Sequence, residues 1–195
     1  MSRAAAGVGA SLVAAILALA LPAGATHTNQ VDPNDTQGRL DVQAVEFDHD
    51  AKPVRWGIVT LARWTVHEMW DQGSFVVQLD TKGDDEIDFL AVVRSDGRQL
   101  VATLFAVRGG GTPKQIDELP VGKDGTRGAT VAVALRKLTI GPNRTSYFWS
   151  VLTTFTGPAC RRTCFDRVPD EGMVEQPLPG VTPTPTPTTT PSPTP

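Results

Sequence analysis

Short stretches in which apolar and polar residues alternate fill the middle of the chain. In V-R-W-G-I-V-T, Val54, Trp56 and Ile58 fall on one side of an extended backbone while Arg55, Gly57 and Val59 fall on the other. That two-residue period is the mark of a strand with one buried face, and Gly57 is the place where a bulge is expected. Apolar, β-branched runs recur at Ser74 to Asp80, Asp88 to Arg94 and Arg98 to Val107. Between the last two, Asp96-Gly97 supplies the positive φ that a hairpin needs, so three consecutive antiparallel strands are predicted. Arg39 to Phe47, Ala129 to Leu135 and Thr145 to Phe155 read the same way, with Tyr147, Trp149, Val151 and Phe155 sharing a face. The pattern predicts seven or eight strands and no amphipathic helix beyond a turn or two, the spacing of Ala132, Leu135 and Leu138 allowing one short helical piece. The expected class is all-β: a single antiparallel β-sandwich, immunoglobulin-like or jelly-roll, with a barrel as the alternative closure.

The two ends break this pattern in opposite ways. Arg3 is followed by an apolar run from Val8 to Leu21 and then by Ala23-Gly24-Ala25, the layout of a secretory signal peptide over residues 1–25. At ~14 residues the run is short of the ~20 needed to cross a bilayer, so a retained membrane helix is disfavoured and an exported bacterial protein is expected. From residue 179 to 195 the chain is built of Pro and Thr with little else, a composition that stays extended and solvated because it has no apolar surface to bury. Such a tail reads as a linker to another module or as a spacer that holds a domain away from a cell wall. A single domain over residues 26–178 lies between the two.

Charge and cysteine content narrow the partners. With 18 Lys and Arg against 21 Asp and Glu, the net charge is −3, and no basic stripe interleaved with aromatic residues points to nucleic acid. The only cysteines, Cys160 and Cys164 in C-R-R-T-C, predict a local disulfide that pins the exit of the last strand, since two thiols without a second ligand pair make a poor zinc site.

Candidate chemistry is concentrated in one loop. L-D-T-K-G-D-D-E-I-D-F brings Asp80, Asp84, Glu86 and Asp88 together around Gly83, and calcium takes six to eight oxygens from carboxylates and carbonyls. The spacing is not that of an EF-hand, and Asp with Gly also makes an ordinary turn. A second acidic stretch, Val31 to Asp41, could approach the first in space, although D-P-N-D also suits a type I turn. His67-Glu68 opens like a zinc-protease motif, but Asp71 stands where the second histidine belongs, and the segment reads as a strand end. No serine sits in a nucleophile elbow, Gly109-Gly110-Gly111 lacks the Lys and helix of a phosphate loop, and no carboxylate pair is singled out for glycoside hydrolysis. Among the tryptophans, Trp56 and Trp149 belong to strand faces, whereas Trp64 and Trp70 flank an irregular polar stretch and are expected to be exposed ligand-binding rings.

D-P-N-D-T-x-G-x-L-D at 32–41, L-D-T-x-G-D-x-x-x-D-F at 79–89 and C-x-x-x-C-x-D at 160–166 together resemble a group of secreted single-domain proteins of high-GC Gram-positive bacteria with no assigned activity. The resemblance implies a shared β-sandwich fold and supplies no function. It also implies glycine after Gly83-Asp84, where this chain has Asp85. Two functional expectations follow: a non-catalytic extracellular module for polysaccharide or another cell-surface component, supported by calcium, or an envelope domain that meets a protein partner. A glycoside hydrolase is a more distant third.

Overall fold

The computed structural model describes residues 27–108, 111–157 and 159–179; the expected signal peptide at 1–25, the expected tail beyond Pro179 and Gly109-Gly110 lie outside the described residues. In chain order the elements are β1 (His27–Val31), β2 (Val42–Asp48), β3 (Val54–Thr60), α1 (Val66–Met69), β4 (Gly73–Asp80), β5 (Phe89–Ser95), β6 (Leu100–Ala106), β7 (Lys114–Glu118), β8 (Val121–Asp124), β9 (Gly128–Val133), β10 (Ser146–Gly157), β11 (Cys160–Val168) and β12 (Val174–Pro177). A 3-10 turn, Leu135–Lys137, follows β9.

The strands form two antiparallel sheets that pack face to face. The first has the order β1-β2-β3-β9-β8 and the second the order β11-β10-β4-β5-β6-β7, with β12 paired to the first half of β10 and β11 to its second half. Alternation explains the packing. Val54, Trp56 and Ile58 of β3, Phe75, Val77 and Leu79 of β4, and Tyr147, Trp149 and Val151 of β10 are all buried in the layer between the sheets. Phe47 of β2 lies 4.9 Å from the ring of Trp56 and 5.8 Å from that of Trp149, while the two indoles meet edge to face at 6.5 Å, so aromatic contacts cross from one sheet to the other. Truncating a ring so placed to alanine costs about 3–5 kcal/mol. Trp56 Nε1, Trp149 Nε1 and Tyr147 OH are buried without a hydrogen-bond partner among the described residues, and packing alone holds these rings.

Several elements depart from the sequence expectation. Among the described residues twelve strands replace the expected seven or eight, because β1, β7, β8, β11 and β12 are short or polar strands whose pairing is made by the backbone. The register across Gly57 is continuous on both sides of β3, and the irregularity falls instead in β2 between Val42 and Ala44. The His67-Glu68 segment is helical. Thr65 Oγ1 accepts from Glu68 N at 3.1 Å while Glu68 Oε2 accepts from Thr65 N at 2.9 Å, a capping box that makes one turn of helix preferable to a strand end. Both cysteines lie within β11, so the disulfide does not pin the exit of a last strand. Gly157 pairs with Cys160 and Phe155 with Cys164, which puts two extra residues on the β11 side; the Cys160–Cys164 bond closes this bulge with its Cα atoms 5.8 Å apart.

Candidate functional site

The acidic loop between β4 and β5 turns inward on itself. Asp80 is buried, and its carboxylate accepts from Lys82 N at 2.9 Å, Gly83 N at 2.5 Å and Asp85 N at 3.1 Å. Asp88, also buried, accepts from Thr81 N and Thr81 Oγ1, both at 2.9 Å, and forms an ion pair with Lys82 Nζ. Burial raises the Asp88 carboxyl, but the Lys82 ammonium and the Thr81 donors outweigh it and hold it below the usual carboxylate range. Gly83 takes φ +68° and Asp85 φ 63°. The second value is the left-handed conformation that glycine adopts without steric cost and Asp tolerates, which gives a physical reason for the glycine that the resemblance implies at this place. Asp80, Asp84 and Asp88 each offer an oxygen within 4.8 Å of the others, whereas Glu86 is exposed and outside the group. Of the four residues expected to hold calcium, three converge, and the two buried ones already have donors on their oxygens.

A second acidic group is built differently. Loop 32–41 does not approach the Asp80 loop; it folds against β11, where Asp166 joins Asp32, Asp35 and Asp41, each with an oxygen within 4.8 Å of the rest. Asp32, Asp41 and Asp166 are 7%, 4% and 4% exposed, and Asp35 is open to solvent. Asp166 Oδ2 accepts from Val42 N at 2.6 Å. Asp32 Oδ2 and Asp41 Oδ1 are sealed from solvent and meet no donor among the described residues. No Lys, Arg or His forms an ion pair with any of the four among those residues, and Arg39, within the loop itself, reaches away to Glu68 Oε1 at 2.6 Å. The physical result is four like charges in a poorly solvated space. Burial, followed by the neighbouring carboxylates, pushes Asp32 up to about 7 and Asp41 up to about 6, and raises Asp166 as well.

The C-x-x-x-C bulge braces this second group. Gly38 packs so closely on Phe155 that an added Cβ would lie 3.1 Å from Phe155 Cδ1 and 3.6 Å from Cys160 Sγ. Thr36 Oγ1 donates to Phe165 O at 3.1 Å, and Thr153 Oγ1 donates to Leu40 O at 2.7 Å. Asp166 was missed as a partner of loop 32–41 because 125 residues separate it from Asp41. A signal was nevertheless present: within C-F-D-R-V, Asp166 and Val168 occupy alternate positions of one strand face, and both prove buried.

The two expected ligand-binding tryptophans do not form a platform. Trp64 is 3% exposed, which corrects its expected exposure. Its Nε1 donates to Arg127 O at 3.0 Å, its ring packs 5.5 Å from that of Phe75, and Lys123 Nζ sits 3.7 Å above its centroid. Trp70 is 46% exposed and lies against Gly97 of the β5–β6 hairpin, where φ is +91° and an added Cβ would meet the indole at 3.1 Å.

A concavity of about 660 Å³ lies at the end of the sandwich where the β2–β3 connection faces the 3-10 turn. Pro53, Leu119, Pro120, Ala132 and Leu135 supply apolar walls, and His49, Asp50, Glu118 and Arg136 supply polar ones. Both ring nitrogens of His49 are sealed from solvent without a partner among the described residues. Burial lowers its pKa against the opposing pull of Asp50 and Asp48, which favours the neutral ring with one donor and one acceptor. Pro179 lines the same cleft. Comparison with protein-family models, curated proteins and solved structures finds no match in any of the three. No helix among the described residues is long and apolar enough to cross a membrane.

Proposed function

We propose that the chain is a secreted, non-catalytic binding module that takes a segment of polysaccharide in the cleft beside His49. The observation that carries this reading is a cleft of about 660 Å³ in which the apolar walls of Pro53, Leu119, Pro120, Ala132 and Leu135 stand beside the polar side chains of Asp50, Glu118 and Arg136. Sugar hydroxyls both donate and accept, so they match Asp50, Glu118 and Arg136 at once, while the C–H faces of a pyranose suit the proline and leucine walls.

The test is affinity electrophoresis and calorimetry of the purified protein against soluble cell-wall and plant polysaccharides. Retention of at least one polymer, weakened about tenfold or more in Glu118→Ala and in Arg136→Ala, is the expected result, a loss of about 1.4 kcal/mol. Loss of binding in Trp70→Ala alone would move the site to that exposed ring. Release of reducing ends from the bound polymer would make the protein a hydrolase, and retention of no polysaccharide would end the reading.

One observation favours a second reading, an envelope domain that meets a protein partner. Val76, Leu90, Val92, Val101, Phe105 and Leu152 point away from the core on the outer face of the second sheet and form a nearly uncharged surface.

A further inference from the structure

We infer that Asp32, Asp35, Asp41 and Asp166 form a binding site for a hard divalent cation, of which calcium is the best match, and that the ion ties the β1–β2 connection of the first sheet to β11 of the second. The inference is independent of the ligand in the cleft. Clustered carboxylates alone would not carry it, since the Asp80 loop shows how such a cluster can be satisfied by its own backbone and a lysine. What sets the second cluster apart is what it lacks. Asp32 and Asp41 are more than nine-tenths buried, each sends an oxygen into the group, and Asp32 Oδ2 and Asp41 Oδ1 have no donor among the described residues. An orphaned buried carboxylate oxygen is one of the costliest groups a fold can contain. Here two belong to a single group with two further carboxylates and, among the described residues, no basic side chain paired to any of them.

The donor set selects the ion. All four side chains offer hard oxygen and none offers nitrogen or sulfur, which favours calcium or magnesium over zinc or copper. Four carboxylates supply much of the six-to-eight oxygen shell of calcium, with carbonyls and water for the remainder, whereas magnesium keeps most of its water and seldom accepts so many protein ligands. Access is also provided: Asp35 is exposed, and Asp41 lines a shallow surface cleft together with Asn34, Thr36 and Gln37. The loop already leans on β10 and β11 through Thr36, Leu40, Val42 and the disulfide bulge, so an ion would bind a largely formed cradle.

The experiment is a thermal melt of the purified protein at pH 7.5 in EDTA and in calcium, with isothermal calorimetry beside it, on wild type, Asp35→Asn, Asp41→Asn and Asp84→Asn. At about 100 times the dissociation constant, calcium should raise the wild-type midpoint by about 5–10 °C. Asp84→Asn should respond as wild type does, while Asp35→Asn and Asp41→Asn should respond weakly or not at all. Asp35 is exposed, so its variant should fold whatever becomes of Asp41→Asn. A second sign distinguishes a site from a structural role: removing one unneutralised charge should raise the Asp41→Asn midpoint above wild type in EDTA and lower it below wild type in calcium. No wild-type shift and no calorimetric binding would overturn the inference. A response abolished by Asp84→Asn and kept by Asp35→Asn would overturn it in favour of the Asp80 loop, and an equal response in all four proteins would reduce it to non-specific screening.

Discussion

At the scale of single residues, burial decides what each polar group can do. His49 illustrates it. Its folded pKa lies below the ordinary 6.5 because burial outweighs Asp50 and Asp48. As the pH falls through 6.5, the unfolded chain takes up a proton that the folded protein resists, so the stability His49 allows is complete above 6.5 and is lost below it. Asp32 and Asp41, held up to about 7 and about 6, titrate in the same range with the opposite sign. A comparison with His49→Gln isolates the imidazole: between pH 7.5 and 5.5 the wild type should lose more stability to denaturant than the variant, and the His49 ring protons should titrate below 6.5 by NMR. A midpoint at or above 6.5 would contradict the burial account. Single residues were also the least legible part of the sequence. Trp56 and Trp149 were placed in the core by alternation, but Trp64 sits beyond the end of β3, where no period applies, and its burial under Lys123 is a contact between distant segments. The carboxylates divide likewise. The acidic loop at 80–88 was visible because its members are neighbours, while Asp166 belongs to its cluster only through the fold.

Whole elements were legible where the side-chain pattern has to match a buried face. The cores of β3, β4, β5, β6, β9 and β10 follow from alternation, since an apolar residue out of register would meet water instead of the opposite sheet. Strands held at an edge leave no such trace: K-Q-I-D-E of β7 is mostly exposed, and it is a strand because its backbone completes a ladder with β6. β11 combines both cases, for its first half is a polar bulge closed by the disulfide and its second half turns Asp166 and Val168 inward. The bond encloses a short loop, so its entropic contribution is small, about 2 kcal/mol on a chain-entropy account. Its position matters more, because Gly38 of loop 32–41 rests on Cys160 and Phe155. Replacing both cysteines by alanine should lower stability by about 2 kcal/mol in a denaturant melt, and should weaken calcium binding in calorimetry while leaving polysaccharide retention at the His49 cleft unchanged. A stability loss with undiminished calcium affinity would show that the bulge does not support the acidic loop.

Across the whole molecule, the second sheet is more apolar than one solvated face requires. An antiparallel sheet with one wet side should alternate cleanly, yet F-L-A-V-V in β5 and F-V-V in β4 run on without interruption, a pattern usual for sheets covered on both sides. The register shows where the surplus goes: Val76 pairs with Leu152 on one side and Val92 on the other, and Leu90 pairs with Phe105, so these side chains are contiguous on the outer face. Val101, 39% exposed on β6, extends the surface, and Arg94 is its one charged member on β4, β5 or β6. A face of this kind offers little to a charged partner, whereas a second copy could meet it about a two-fold axis without like-charge repulsion across most of its area. Under this second reading the purified protein should run as a dimer in light scattering, and Val92→Lys combined with Phe105→Lys should make it monomeric. Both positions point outward, so the stability of the variant monomer should stay within about 1 kcal/mol of that of a dilute, dissociated wild type. A wild type that is monomeric up to its solubility limit, or a dimer indifferent to the two lysines, would exclude this face as a contact between copies.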